Sequence, residues 1–299
     1  MGAADKIRYK FQTASVLEKL IALNVLVFIM FFLFQTISFL FKLPSDFLTE
    51  WLVFPSEPGE YIFKPWTIIT YSFMHSGIWH ILSNMLILYY AGTYFLSYFS
   101  AKKLLNFYFL GVIIGALVYM LSYNLFPAFQ AMGKSYLLGA SAGVMAVLVG
   151  IATHIPNMRI RLLILGPIKF WYIAAFLVVI DVIQIPFGNA GGHLAHLGGA
   201  LFGYVYAGQL AKGNDIGSGF EKVITWFLSL FVSGKKSRPT MHTVHKKKET
   251  TRKKPVSTKV GKNEKQQRID GILDKISKSG YESLTKQEKD FLFNAGKDE

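Results

Sequence analysis

Ser141 stands in the run Gly139-Ala140-Ser141-Ala142-Gly143, at the mouth of a long apolar stretch. About fifty residues later a second apolar stretch opens with Gly192-His193-Leu194-Ala195-His196-Leu197-Gly198-Gly199. Polar and ionisable groups inside apolar spans are costly to keep and read as functional by default. A serine hydroxyl becomes a useful nucleophile when a base removes its proton, and neutral imidazole suits that task near pH 7. Ser141 is therefore the candidate nucleophile and His196 the candidate base. Gly139 and Ala140 let neighbouring backbone come close around the serine. A helix start at Ser141 would leave peptide N–H groups free to bind an oxyanion. His80 and Asn84, four residues apart, share one helix face and offer two further donors.

These groups need elements to bring them together. The chain has 299 residues, 52% of them hydrophobic, which fits a polytopic membrane protein of all-α class. It has no Cys, which excludes disulfides, Cys-based zinc sites and thiol catalysis. Lys6, Arg8, Lys10 and Lys19 give the N-terminus the look of a signal peptide. The apolar run over 21–41 is too long and bulky for a cleaved segment, so it reads as a retained span.

Six segments meet the roughly 20 apolar residues needed for a bilayer core: about 20–41, 78–100, 104–126, 136–155, 168–187 and 191–211. Lys102, Lys103, Arg159, Arg161 and Lys169 fall in loops on the side of the basic N-terminus. The opposite loops hold Asp46, Glu50, Glu57 and Glu60, with Lys42, Lys64 and Lys134. The positive-inside rule then predicts both termini in the cytoplasm. The second, fourth and sixth spans enter from the outer face, so His80, Asn84, Ser141 and His196 fall on the order of 3–10 Å below the outer helix ends. The first outer loop, about 42–77, carries Trp51, Phe54, Trp66 and Phe73 with Pro55, Pro58 and Pro65, and predicts short helices against the membrane. The run 226–231 is too short to span and reads as interfacial.

With these residues in view, the chain resembles the rhomboid family of intramembrane serine proteases. The matching stretches run from Trp66 to Gly203 and include the residues from His75 to Asn84, the serine run, and Ala195-His196-Leu197-Gly198-Gly199-Ala200-Leu201-Phe202-Gly203. The resemblance implies a Ser141–His196 dyad, oxyanion stabilisation by His80 and Asn84, and a six-span bundle without a cofactor or metal. Gly199 and Gly203 match the small-xxx-small pattern that brings the last helix close to the serine helix. Gly139, His75 and His193 are read as supporting residues. Three positions depart from the family pattern: Ala142 replaces a glycine, Met145 an aromatic, and Thr67 an arginine after Trp66.

Plainer readings stand beside these. The glycine-rich serine run alone is also compatible with helix packing. His193 and His196 could ligate a metal with His75 or His80, but the His-Glu-x-x-His run of membrane metalloproteases does not occur. Asp181 is the one acidic residue in the middle of a span; a packing or gating role is favoured over a third catalytic member, so Asp181→Asn should leave measurable proteolysis.

Residues from 234 onward carry +9 of the chain's net +14. The segment 234–268 reads as a disordered basic linker near anionic lipid headgroups, with no nucleic-acid role. Beyond it, Ile269, Leu273 and Ile276 at helical spacing and the capping box Thr285-Lys286-Gln287-Glu288 predict a small cytoplasmic helical hairpin. The expected layout is an N-terminus at 1–19, a membrane domain at 20–211, an interfacial segment and linker at 212–268, and a helical module at 269–299.

The resemblance implies an endopeptidase cutting single-span membrane proteins near the outer face, in a cell's inner membrane. The alternatives are a catalytically inactive relative that binds membrane proteins for quality control, and a transporter using the same polar cluster. The second of these predicts repeat halves and broken helices, which the sequence does not contain.

Overall fold

The computed structural model of this chain describes residues 2–44, 46–162, 166–231 and 261–295, in two compact units, Met1–Lys235 and Lys236–Glu299. Among the described residues, the α-helices up to Ala211 are α1 (Ala3–Thr13), α2 (Val16–Phe41), α3 (Asp46–Leu52), α4 (Pro58–Phe63), α5 (Thr67–Thr70), α6 (Ile78–Tyr98), α7 (Ala101–Leu125), α8 (Pro127–Gln130), α9 (Ser141–His154), α10 (Phe170–Gln184) and α11 (Ala190–Ala211). Helix α12 (Ser218–Phe231) closes the first unit. Among the described residues, α2, α7 and the helical stretch Phe170–Phe187 are long and apolar enough to cross a membrane.

Local chemistry sets the helix starts. The Ser15 hydroxyl accepts from the Glu18 N–H at 3.2 Å, and the Glu18 carboxylate accepts from the Ser15 N–H at 2.6 Å. This capping box satisfies orphan donors at both ends of the first turn, so α2 begins at Val16 rather than near 20. The outer faces of α2 and α10 leave Leu26, Met30, Leu33, Phe176, Val179 and Ile183 exposed. Helix α9 is the opposite case. Ten of its 14 residues are buried, and it packs against α6, α7, α10 and α11. At 1.5 Å per residue it is only about 21 Å long, shorter than α7 or α11 beside it.

Two short antiparallel ladders add strand to the expected all-α fold: β1 (Phe54–Pro55) with β2 (Tyr136–Leu137), and β3 (Arg159–Leu162) with β4 (Gly166–Lys169). The first joins the 42–77 loop to the segment that enters α9. That loop forms the short helices α3, α4 and α5. Trp66 stacks on Trp51 at 5.6 Å and donates its indole N–H to the Trp51 carbonyl at 2.8 Å. Thr70 donates to the Leu52 carbonyl, and Lys64 to the Glu50 carbonyl. With Thr67 after Trp66, the anchoring falls to this tryptophan pair and these backbone bonds.

At the other end of the bundle, Lys103 is paired with Asp215 and, at 2.9 Å, with Glu221. Asn106 donates to Glu221, and Tyr206 to Asp215. This network ties the start of α7 to the turn after α11 and to α12. Lys103 leads the interactions that hold the Glu221 carboxyl below its ordinary range.

In the second unit, α13 (Gly261–Ser279) starts eight residues before the expected boundary at 269 and is followed by α14 (Lys286–Ala295). Lys275 pairs with Glu288 at 3.0 Å, and the Arg268 guanidinium lies 4.7 Å from the Phe291 ring centre. The capping box forms as spaced: Thr285 N–H donates to Glu288 at 2.7 Å, and Glu288 N–H to Thr285 at 3.3 Å. That backbone bond, then the Lys275 ammonium, holds the Glu288 carboxyl down to about 2. Of the expected basic linker at 234–268, residues 234–260 lie outside the described residues.

Candidate active site

Glycine faces on both sides of α9 fix its depth and direction. A Cβ at Gly199 would collide with the Ala142 carbonyl oxygen, and one at Gly203 with that of Ala146. The register 142 with 199 and 146 with 203 makes α9 and α11 parallel. On α7 the order reverses, because a Cβ at Gly111 would strike Ala146 and one at Gly115 would strike Ala142. Helix α7 is therefore antiparallel to α9. The methyl of Ala142, where the family pattern has glycine, sits opposite Gly115, which has no side chain to meet it. Met145, where an aromatic is usual, is buried.

Ser141 is the first residue of α9, with Ala140 at the N-cap. Its entry is held by the β1–β2 ladder and by the Gly139 N–H, which donates to the Tyr71 carbonyl at 2.9 Å. Gly139 has φ +119°, a region that side-chain-bearing residues avoid. A Cβ there would lie 2.8 Å from His80 Nε2 and 3.6 Å from Ser141 Oγ. The His80 ring and the Ser141 hydroxyl thus flank the bare face of Gly139, beside the N–H groups that the first turn of a helix leaves without intrahelical partners.

The hydrogen bonds around His80 define its tautomer. The Ser76 N–H donates to His80 Nδ1 at 3.4 Å, with the Ser76 hydroxyl at 3.0 Å from the same atom. A backbone N–H can only donate, so Nδ1 accepts and the ring proton sits on Nε2, toward Gly139. Asn84 is buried and gives one amide N–H to the His80 carbonyl at 2.8 Å; its amide holds a second. His75, in the loop before α6, is 1% exposed, and its Nδ1 lies 3.3 Å from the Phe73 carbonyl. It packs edge-on against His80 at 5.1 Å. Burial, with the neighbouring His80, lowers the His75 imidazole to about 4, so it is neutral at pH 7.

His196 lies three residues before Gly199, on the α11 side of the seam. By register its Cα is about 3 Å further toward the outer ends than that of Ser141. Among the described residues, no hydrogen bond joins Ser141 Oγ to His196. His196 Nδ1 instead lies 2.8 Å from Asp181 Oδ1, and His193 Nδ1 is at the same distance from the same oxygen. Asp181 is near the C-terminal end of α10, which brings it to the level of the helix starts of α6, α9 and α11. Asp181, for which a packing or gating role was expected, thus stands within hydrogen-bond distance of both histidines.

The same trio offers three ligand atoms within 4.8 Å of one another, and it is the group among the described residues that could hold a metal ion. It differs from the His75 or His80 set weighed from the sequence. A cavity of about 460 Å³ lies elsewhere, between the later half of α6 and the start of α10, lined by Leu86, Tyr90, Tyr94, Leu148 and Phe170. Ser76, which the sequence alone gave no role, stands four residues before His80 at the edge of a helix start, and that spacing was the available signal.

Geometry and sequence agree on the class. Residues 63–213, half of the chain, match the Rhomboid domain family. The chain belongs to the rhomboid family. It is 32% identical over 158 residues to RHOMBOID-like protein 12, mitochondrial, of Arabidopsis thaliana, covering 49% of this chain and 47% of that protein. It is 34% identical over 140 residues to presenilin-associated rhomboid-like protein A, mitochondrial, of Danio rerio, covering 46% and 35%. It is 29% identical over 187 residues to rhomboid-related protein 1 of Caenorhabditis elegans, covering 56% and 48%. The chain thus spans less than half the length of each of these relatives. Residues 258–294 match a second family, of unknown function (DUF6576).

Proposed function

We propose that this protein is an intramembrane serine endopeptidase that cuts the transmembrane segments of single-span membrane proteins near their outer ends. The observation that carries the reading is the meeting of Ser141, His80 and the bare face of Gly139 at the sunken start of the shortest helix of the bundle, with His196 across the α9–α11 seam.

In this mechanism Ser141 Oγ attacks the scissile carbonyl carbon while its proton passes to His196 Nε2. The C=O π pair moves onto oxygen, and the resulting oxyanion is met by the Ser141 N–H, the His80 Nε2–H and the second Asn84 N–H. Collapse expels the amine, which takes the proton from His196, and leaves an acyl ester on Ser141. Water then repeats the sequence, giving its proton to His196 and releasing the acid. The serine–histidine bond needed for the first step forms when the hydroxyl turns toward the ring, since catalytic hydrogen bonds often tighten only in the reacting complex. An intact substrate helix hides its carbonyls in hydrogen bonds, so the cut segment must unwind, which small helix-weakening residues favour.

The proposed layout has six spans, α2, α6, α7, α9, α10 and α11. The basic loops, both termini and the helical pair α13–α14 face the cytoplasm, in a cell's inner membrane. The mitochondrial names of two relatives describe those proteins. The test is cleavage of a single-span substrate by the purified protein in liposomes. The reading expects cleavage that Ser141→Ala and His196→Ala each abolish; cleavage unchanged in either variant rejects it.

A further inference from the structure

We propose that Asp181 is a positioning residue of the reaction, holding the His196 ring in the orientation and tautomer that the serine requires. The inference rests on the reading of Ser141 and His196 as the reacting pair. Asp181 is buried and stands in an otherwise apolar helix, Phe170-Trp171-Tyr172-Ile173-Ala174-Ala175-Phe176-Leu177-Val178-Val179-Ile180-Asp181. A carboxylate removed from water is costly unless hydrogen bonds replace the lost hydration. Here two imidazoles converge on one of its oxygens, His193 and His196, each at 2.8 Å through Nδ1. Packing alone would be served at lower cost by a leucine.

The geometry has a chemical consequence. The oxygen that the two rings share is a hydrogen-bond acceptor, so at 2.8 Å each Nδ1 is placed as the donor. His196 then presents Nδ1–H to α10, and Nε2 is the ring atom left to receive the serine proton. When that transfer makes the ring cationic, Asp181 is already beside it. The carboxylate neither touches the substrate nor gains the proton. His193, one turn earlier on α11, completes the arrangement by fixing the carboxylate from a second direction. An amide at 181 would break the logic, because its N–H₂ would favour an accepting Nδ1 and move the ring proton to Nε2, where the base is needed.

The experiment measures kcat and KM for a single-span substrate in proteoliposomes, with fluorophosphonate labelling and thermal melting in parallel. Asp181→Asn should lower kcat by about 10²-fold or more, with KM within about twofold and the labelling rate falling alongside. Asp181→Glu, which keeps a carboxylate, should regain at least about tenfold of that loss and decides the matter if the asparagine variant melts early. Wild-type kcat in Asp181→Asn overturns the proposal, as does a loss carried wholly by KM. Equal impairment of the two variants with lowered melting temperatures makes Asp181 a packing residue only, and also overturns it. Ser141→Ala is run beside them: cleavage surviving there defeats the nucleophile assignment itself, a different failure from an unaffected Asp181→Asn.

Discussion

Position, more than side-chain identity, makes Ser141 the residue to test. It sits at a helix start, beside a glycine whose missing side chain admits His80. Substituting one oxyanion donor, as in His80→Ala or Asn84→Ala, should lower kcat about 10²-fold while substrate affinity holds, read from steady-state cleavage. Gly139→Ala meets both a strained φ and the His80 ring, so both cleavage and the melting temperature should fall. His75 gives a pH dependence. Its folded value, about 4, lies below the ordinary 6.5, so its contribution is fully present above pH 6.5 and is lost as pH falls toward 4. The slope in that window is at most about 1.4 kcal/mol per pH unit. His75→Asn should flatten the fall in melting temperature between pH 6.5 and 4; an unchanged profile contradicts the buried neutral ring. Ser141, His196, His80 and Asn84 stood out in the sequence as candidates because such groups are rare in apolar segments. The Asp181–His196 bond was not, since it crosses from one helix to the next over 15 residues, beyond any helical period.

Among the elements, α9 is defined by what its neighbours lack. Gly111 and Gly115 on one side, with Gly199 and Gly203 on the other, let three backbones meet at van der Waals distance. Gly199→Ala or Gly203→Ala must push against backbone, and should cost about 1–3 kcal/mol and reduce cleavage through displacement of His196. Gly208→Ala, at a place with nothing within 4 Å, should leave both melting and cleavage unchanged. An equal effect at all three sites would contradict the packing argument. Six helical segments could be read from apolar runs, and Gly199 and Gly203 from their spacing. The two-residue strands β1 and β2 could not, because such lengths show no periodicity and their partners, Phe54 with Leu137 and Pro55 with Tyr136, lie far apart in the chain. The start of α13 was also missed, because polar Gly261-Lys262-Asn263-Glu264 carries no apolar stripe.

On the scale of the whole molecule, charge and catalysis should divide between the two faces of the bilayer. The absence of cysteine makes this directly measurable, since single-Cys variants report alone. A cysteine at Lys212 or Lys278 should react with a membrane-impermeant maleimide only from the cytoplasmic side, and one at Lys134 only from the outer side; the reverse pattern contradicts the proposed orientation. The central claim, that His196 activates Ser141 within the folded protein in its lipid, is tested most directly by one measurement. Liposomes holding the wild-type protein are treated with a fluorophosphonate and the adduct is mapped by mass spectrometry. The account predicts phosphonylation of Ser141 in the wild type, lost in His196→Ala. An adduct on another serine, or labelling of Ser141 that persists without His196, would contradict it.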